Sequence, residues 1–333
     1  MWSKGVVVVA AAVIGIGIPI VIAGCGGENA GAITDTSTER SEPTPGVGAG
    51  AGAEAGAGAE AGAGVDAGGD ASTAPWPGSQ VIMLPFAPQK NAAGAGWGSA
   101  LTDIVRHLPS SYGNQYDFPD DRITWAHETT HGINSYLRNY LNVTGKKANG
   151  FYLMKDRYAL VVEPPTVRLA DVGTYVPTSL RGSRYQTYLV QQVSGWDDTP
   201  TYVFDEWVAY TNGSEVGIEL AKDGSWTTWR DGVAGTLEFT FYALALGHAV
   251  EKLDAAYATG YPQFREFLAW SIERAMNLYR AGSVLPVFAW ATQDAYLAAW
   301  KTEADAVPLR NFARRAFGAA YCTKVLEIGP AVE

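Results

Sequence analysis

Between residues 46 and 73 the chain reads GVGAGAGAEAGAGAEAGAGVDAGGDAST, and nothing in that stretch can build a core. Val47 and Val65 are its only branched apolar side chains, and it holds no aromatic ring. Such a segment cannot bury enough apolar area to offset the entropy of ordering its backbone, so it is expected to stay disordered. The fold is thereby confined to the residues C-terminal to it. Ahead of it, MWSKGVVVVAAAVIGIGIPIVIAGC carries one lysine and then an apolar run of about twenty residues, long enough to cross a bilayer. The expected organisation is a targeting segment (1–24), a glycine- and alanine-rich tether (25–78) and a folded part (79–333). The folded part divides into a mixed α/β lobe (79–232) and a helical lobe (233–333), an α+β class.

Charge follows the same division. The whole chain has a formal charge of −10, but the tether alone holds eight acids and one arginine, and Lys4 ahead of it adds one positive charge, leaving −4 on residues 79–333. A folded part this close to neutral, with no basic block, argues against nucleic acid as a partner. Its core must rest on apolar packing, and 11 tryptophans and 17 tyrosines across the chain supply large buriable rings.

The end of the apolar run, Ile22-Ala23-Gly24-Cys25, is not followed by the basic flank of a stop-transfer segment. It resembles the lipobox of bacterial lipoproteins. That resemblance implies cleavage before Cys25, a lipid on that cysteine, and a chain anchored to the cell envelope and facing away from the cytoplasm. An uncleaved signal anchor is the alternative. With Cys25 acylated, Cys322 is left alone and no intrachain disulfide is available. A flexible tether of this length has a root-mean-square reach of roughly 40 Å, which suits holding a domain off a membrane.

Along the folded part, QVIMLPFAP (80–88) reads as a short strand and SALTDIVRHL (99–108) as a helix stopped by Pro109. Asp120 and Asp121 stand where a helix N-terminus favours an acid, so a helix is expected from about 121 to 141. Residues 150–177 read as extended, 179–192 and 201–213 as helical, and 223–232 as a small hairpin. From residue 233 onward, apolar spacing of three to four predicts successive helices.

The helix expected at 121–141 carries the sequence ITWAHETTHGINSYL. The chain has four histidines, and two of them, His127 and His131, stand four apart with Glu128 after the first. On an α-helix, positions four apart lie on one face, so both imidazoles can address one ion. Glu128, about 100° around the helix, is placed to take a proton from a water on that ion. Two satisfied core histidines would be the plainer interpretation.

These residues resemble the HExxH zinc metallopeptidases, the zincins. The metzincin branch needs a glycine and a further histidine at positions here occupied by Asn134 and Leu137, so the resemblance is to the gluzincin branch, whose third ligand is a glutamate on a later helix. Glu206, in YVFDEWVAYTNG, is the best candidate, with Tyr202, Tyr210 and Gly213 on its face; Asp205, Glu215 and Glu238 are the other carboxylates in range. Gluzincins commonly place an aspartate four residues after that glutamate; here Tyr210 stands there, as a candidate hydrogen-bonding partner behind the ligands. His248, in ALALGHAVEKL, is the candidate oxyanion donor, ahead of His107.

The resemblance implies a zincin-like two-lobed catalytic domain with Zn2+ held by His127, His131 and Glu206, and Glu128 as general base. Its substrate would be a peptide or protein outside the cytoplasm. Two other functions stay open. One is a non-catalytic surface lipoprotein binding ligands through Trp226 and Trp229; the other is a zinc amidase acting on cell-wall material.

Overall fold

The computed structural model describes residues 75–113 and 116–329. The targeting segment, Cys25 and almost all of the tether lie outside the described residues. Trp76 and Gly78, just ahead of the expected boundary at 79, already bond to the folded part. Trp76 donates through Nε1 to Glu273 (3.1 Å), and the Gly78 amide donates to Glu266 (2.9 Å).

The described elements are mainly helical, with one small antiparallel sheet. They run β1 (Leu84–Pro85), α1 (Gly98–His107), α2 (Arg122–Tyr140), β2 (Ala148–Tyr152), β3 (Arg157–Val162), α3 (Leu169–Tyr175), α4 (Val193–Trp196), α5 (Tyr202–Lys222), α6 (Ala234–Leu253), α7 (Ala255–Gly260), α8 (Pro262–Ser283), α9 (Gln293–Thr302) and α10 (Val307–Lys324). The sheet order is β1-β3-β2, with Gly150 opposite Leu160 and Phe151 opposite Ala159. Among these elements no helix is long and apolar enough to cross a membrane.

The sheet divides the apolar interior in two. Alternation along a strand sends Phe151, Ala159 and Val161 into a large cluster with α3, α5, α6 and α8, and Tyr152, Tyr158 and Leu160 into a smaller one with α1 and α2. The helices α2 and α5 contribute to both: Ile123 and Trp207 to the large cluster, Ile133 and Val216 to the small one. They therefore run along the seam. This division does not fall at residue 232, since the large cluster draws on residues before and after it.

Helix α2 starts where the paired acids predict. Asp121 accepts from the Thr124 amide (3.0 Å) and hydroxyl (2.7 Å), a cap worth about 1 kcal/mol. Arg230 also pairs with Asp121, and the Arg230 amide donates to Val287 O (2.8 Å). These bonds account for the missing hairpin at 223–232: that segment spends its polar groups on α2 and on the 286–289 turn. Trp229, expected as part of a binding platform, likewise donates to Ala289 O (2.7 Å). The segment 179–192 is not a continuous α-helix but a short 3-10 turn (Thr178–Leu180) and a π-helical turn (Thr187–Gln191). Within 150–177 the extended reading holds for the hairpin and gives way to α3 at Leu169.

Between β2 and β3 the chain takes left-handed φ at three successive non-glycine residues, Met154 (64°), Lys155 (54°) and Asp156 (60°). Each such residue costs on the order of 1 kcal/mol, and the turn is clamped accordingly. Lys155 N donates to Asp103 (2.9 Å), Phe86 N donates to Asp156 O (2.7 Å), and His107 Nε2 lies 2.9 Å from Asp156 Oδ1.

Candidate metal centre

Helices α2 and α5 approach closely because α5 has glycines where they meet. A Cβ on Gly213 would come within 3.2 Å of Ile123 O and 3.6 Å of His127 Cβ, and one on Gly217 within 2.9 Å of Ile123 Cδ1. Asn212, just before Gly213 in sequence, stitches the helices by donating to Thr130 Oγ1 (3.2 Å) and to Tyr152 O (3.1 Å). At its start α5 is tied down by buried Glu163, which accepts from the Thr201 amide (3.1 Å).

This approach brings Glu206 to the histidine pair. Glu206 Oε2 lies 3.6 Å from Nε2 of both His127 and His131, and the two Nε2 atoms are 3.1 Å apart. Ring and carboxylate atoms from His127, His131 and Glu206 fall within 4.8 Å of one another, a set that could hold a metal ion. The side chains are 13%, 20% and 7% exposed respectively, so the cluster is sunk but keeps an opening.

The other carboxylates weighed as ligands are occupied elsewhere. Asp205 stands behind His131, with Oδ1 at 3.1 Å from Nδ1, and it accepts from Asn134 Nδ2 (2.5 Å). Because a carboxylate only accepts, this contact puts the Nδ1 proton toward Asp205 and turns the Nε2 lone pair toward Glu206 and His127. Asn134 is itself fixed by the Tyr152 amide (2.8 Å). Glu238 is fully buried against Arg184 (2.9 Å), and Glu215 pairs with Arg274 (2.7 Å).

The electrostatics are those of a site built for positive charge. Burial alone would lower the His131 pKa, but Glu206 and Asp205 outweigh it and raise it well above the usual value. Burial and then His131 push His127 well below its usual value. Burial would raise Asp205, yet His131 chiefly holds it below the ordinary carboxylate range. Glu128, also buried, is pushed up to about 7, by burial first, and its Oε2 receives no hydrogen bond.

The residue that best marks the site is Glu206. Its Oε1 accepts from Tyr202 OH (2.5 Å), whereas its Oε2 is buried and has no hydrogen-bond donor. A carboxylate oxygen left in that state costs about 1–3 kcal/mol unless something positive meets it. The donor set, two imidazoles and one carboxylate with a second carboxylate behind one ring, suits a divalent transition ion.

Tyr210 touches the cluster through its ring. Its ring meets His127 edge-on (centroids 4.5 Å, planes 74°), and its hydroxyl lies 3.0 Å from Tyr188 OH. His248 is not brought to the cluster. It packs between Tyr175 and Phe312, and it lies nine residues along α6 from Phe239, which stacks on Tyr210. At the helical rise that separation is about 13 Å. His107 belongs to the turn clamp. Missed by sequence reasoning were Tyr188, the role of Asp205 behind His131, and Gln192 on Tyr202; an aspartate adjacent in sequence to the candidate glutamate was the available signal for the second. Compared with known proteins, the chain matches no family model, no curated protein and no solved structure.

Proposed function

We propose that the chain is a zinc-dependent peptidase of the gluzincin-like zincin type, with the ion held by His127, His131 and Glu206. The observation that carries this reading is Glu206 Oε2, a buried acceptor without a donor, facing two imidazole nitrogens at 3.6 Å. When bound, the ion supplies Lewis acidity, acidifying water and polarising the carbonyl of the scissile bond.

The chain's own groups do the rest. Asp205 holds the tautomer and orientation of His131. Glu128, buried and with an Oε2 that receives no hydrogen bond, takes a proton from water and hands it to a leaving amine; burial raises it to about 7 in the metal-free chain, and a bound cation favours its ionised, basic form. The Tyr188–Tyr210 hydroxyl pair, beside His127, takes over the role expected of His248: a phenol that donates to negative charge developing on the carbonyl oxygen. The chemistry takes place in a zincin-like cleft along the α2–α5 seam. A lipid on Cys25 anchors the enzyme at the bacterial cell envelope, facing outward from the cytoplasm, and Cys25→Ser is expected to release it from the membrane fraction.

The decisive experiment is Glu128→Gln. Cleavage of a mixed peptide pool should fall by about 10²–10⁴-fold while zinc content stays at one ion per chain. Proteolysis at the wild-type rate in this variant would remove Glu128 from the mechanism.

A further inference from the structure

Behind the cluster the backbone leaves α-helical geometry at one turn. Thr187–Gln191 form a single π-helical turn, a feature that often accompanies functional sites. Two side chains from this region reach the groups around the ion site. Tyr188 meets Tyr210, whose ring lies against His127. Gln192, at the end of the turn, has its Oε1 2.5 Å from Tyr202 OH, and that hydroxyl is 2.5 Å from Glu206 Oε1. The ring of Tyr202 is stacked flat on Trp196, with centroids 4.5 Å apart and planes at 1°.

We propose that Tyr202, held by Gln192 and Trp196, is a positioning residue that engages Glu206 Oε1 and thereby leaves Oε2 as the one oxygen offered to the ion. This rests on the reading of His127, His131 and Glu206 as a metal site. The direction of the bonds follows from proton counting. A phenol has one proton, and an ionised carboxylate can only accept, so Tyr202 donates to Glu206. Gln192 must then present its amide nitrogen to the phenolic oxygen, an orientation reached by a simple amide flip. The result is a chain of donors, Gln192 to Tyr202 to Glu206, each polarising the next. A hydrogen bond on Oε1 competes with a metal bond from that oxygen, which favours binding through Oε2 alone and keeps a place beside it for water and substrate.

The test uses the full chain with Zn2+ and Co2+ as probes. Tyr202→Phe keeps the ring and its stacking on Trp196 and removes only the hydroxyl. Zinc affinity, measured by competition with a chromophoric chelator, should fall by about 10–100-fold. The visible absorption of the Co2+ form should also weaken, because a second carboxylate oxygen raises the coordination number and higher-coordinate Co2+ absorbs less. Gln192→Met, at a partly exposed position, should lower zinc affinity in the same direction by a smaller factor, and it decides the matter if Tyr202→Phe does not fold. A merely structural role predicts a lower melting temperature of the metal-free chain with zinc affinity and Co2+ spectrum unchanged. That result overturns the inference alone. A wild-type chain that binds no zinc overturns the metal reading and the inference with it.

Discussion

Among the described residues, two places gather imidazole and carboxylate groups closely enough to hold an ion: His127, His131 and Glu206, and Asp103, His107 and Asp156. Each has three candidate ligands, two imidazoles and one carboxylate in the first and the reverse in the second. Their hydrogen bonds set them apart. His107 Nδ1 lies 2.6 Å from Asp103 O and 2.7 Å from Tyr152 OH, and its Nε2 lies 3.0 Å from Phe86 O and 2.9 Å from Asp156 Oδ1. Every nitrogen of that ring already has oxygen partners, and Asp103 is engaged by Tyr152 OH (2.7 Å) and Lys155 N. In the other cluster Glu206 Oε2 has no donor, and two ring nitrogens face it. A metal site is recognised less by which residues converge than by which of their lone pairs nothing else has claimed.

The largest contrast should come from deleting one histidine in each cluster. His131→Ala should reduce zinc, measured by elemental analysis, from one ion per chain to none. His107→Ala should leave zinc in place but cost about 2–3 kcal/mol of stability in denaturant unfolding, because it strips buried partners from the left-handed turn. Equal zinc loss in both variants would erase the distinction drawn between them.

A third buried acid tests whether pH acts through either cluster. Glu163 is raised from 4.5 to about 7, chiefly by burial, while Thr201 opposes the shift. The folded state then binds more protons than the unfolded state between those values, so stability contributed by neutral Glu163 is present below about 4.5 and is lost as pH rises through about 7. The swing is about 3 kcal/mol at most. Unfolding measured from pH 4.5 to 8 should show this slope in the wild type and lose about half of it in Glu163→Gln, because Glu128 is raised to the same value and contributes the other half. A slope of undiminished size in that variant would remove Glu163 from the titration.

A smaller effect is expected from Asp205→Asn, which keeps the shape behind His131 but removes the charge. Zinc affinity should drop by about 10-fold or somewhat more, and the metal-free melting temperature should also fall, because His131 loses its buried partner. The corresponding change at the clamp, Asp156→Asn, should leave zinc affinity at the wild-type value. Smallest is Gly213→Ala. Its Cβ at 3.2 Å from Ile123 O forces a slight separation of α2 from α5, costing about 1 kcal/mol and weakening zinc binding by a few-fold.

Much of α2 was legible in the sequence. Local rules act there: Asp121 caps, the apolar spacing continues, and an observed helix of Arg122–Tyr140 answers an expected 121–141. Glu206 was legible as a candidate because helical spacing put it on one face with Tyr202 and Gly213. The hairpin expected at 223–232 failed for the opposite reason. Its polar groups find partners at Asp121, Val287 and Ala289, far away in sequence, and no local pattern encodes them. Where His248 stands relative to the cluster depends likewise on where α6 crosses α5, through the stacking of Phe239 on Tyr210, and no local pattern encodes that crossing.

The amino-acid sequence by itself determined that two imidazoles share one helical face with a carboxylate beside them, because a helix repeats every 3.6 residues whatever surrounds it. It also determined that the glycine- and alanine-rich stretch holds nothing to build a core from. Only the tertiary structure decided which of four acids meets those imidazoles, which histidine serves a turn instead, and which oxygen of Glu206 is left without a donor. Those outcomes depend on how closely two helices pack, and that distance is set by side chains brought together from distant parts of the chain.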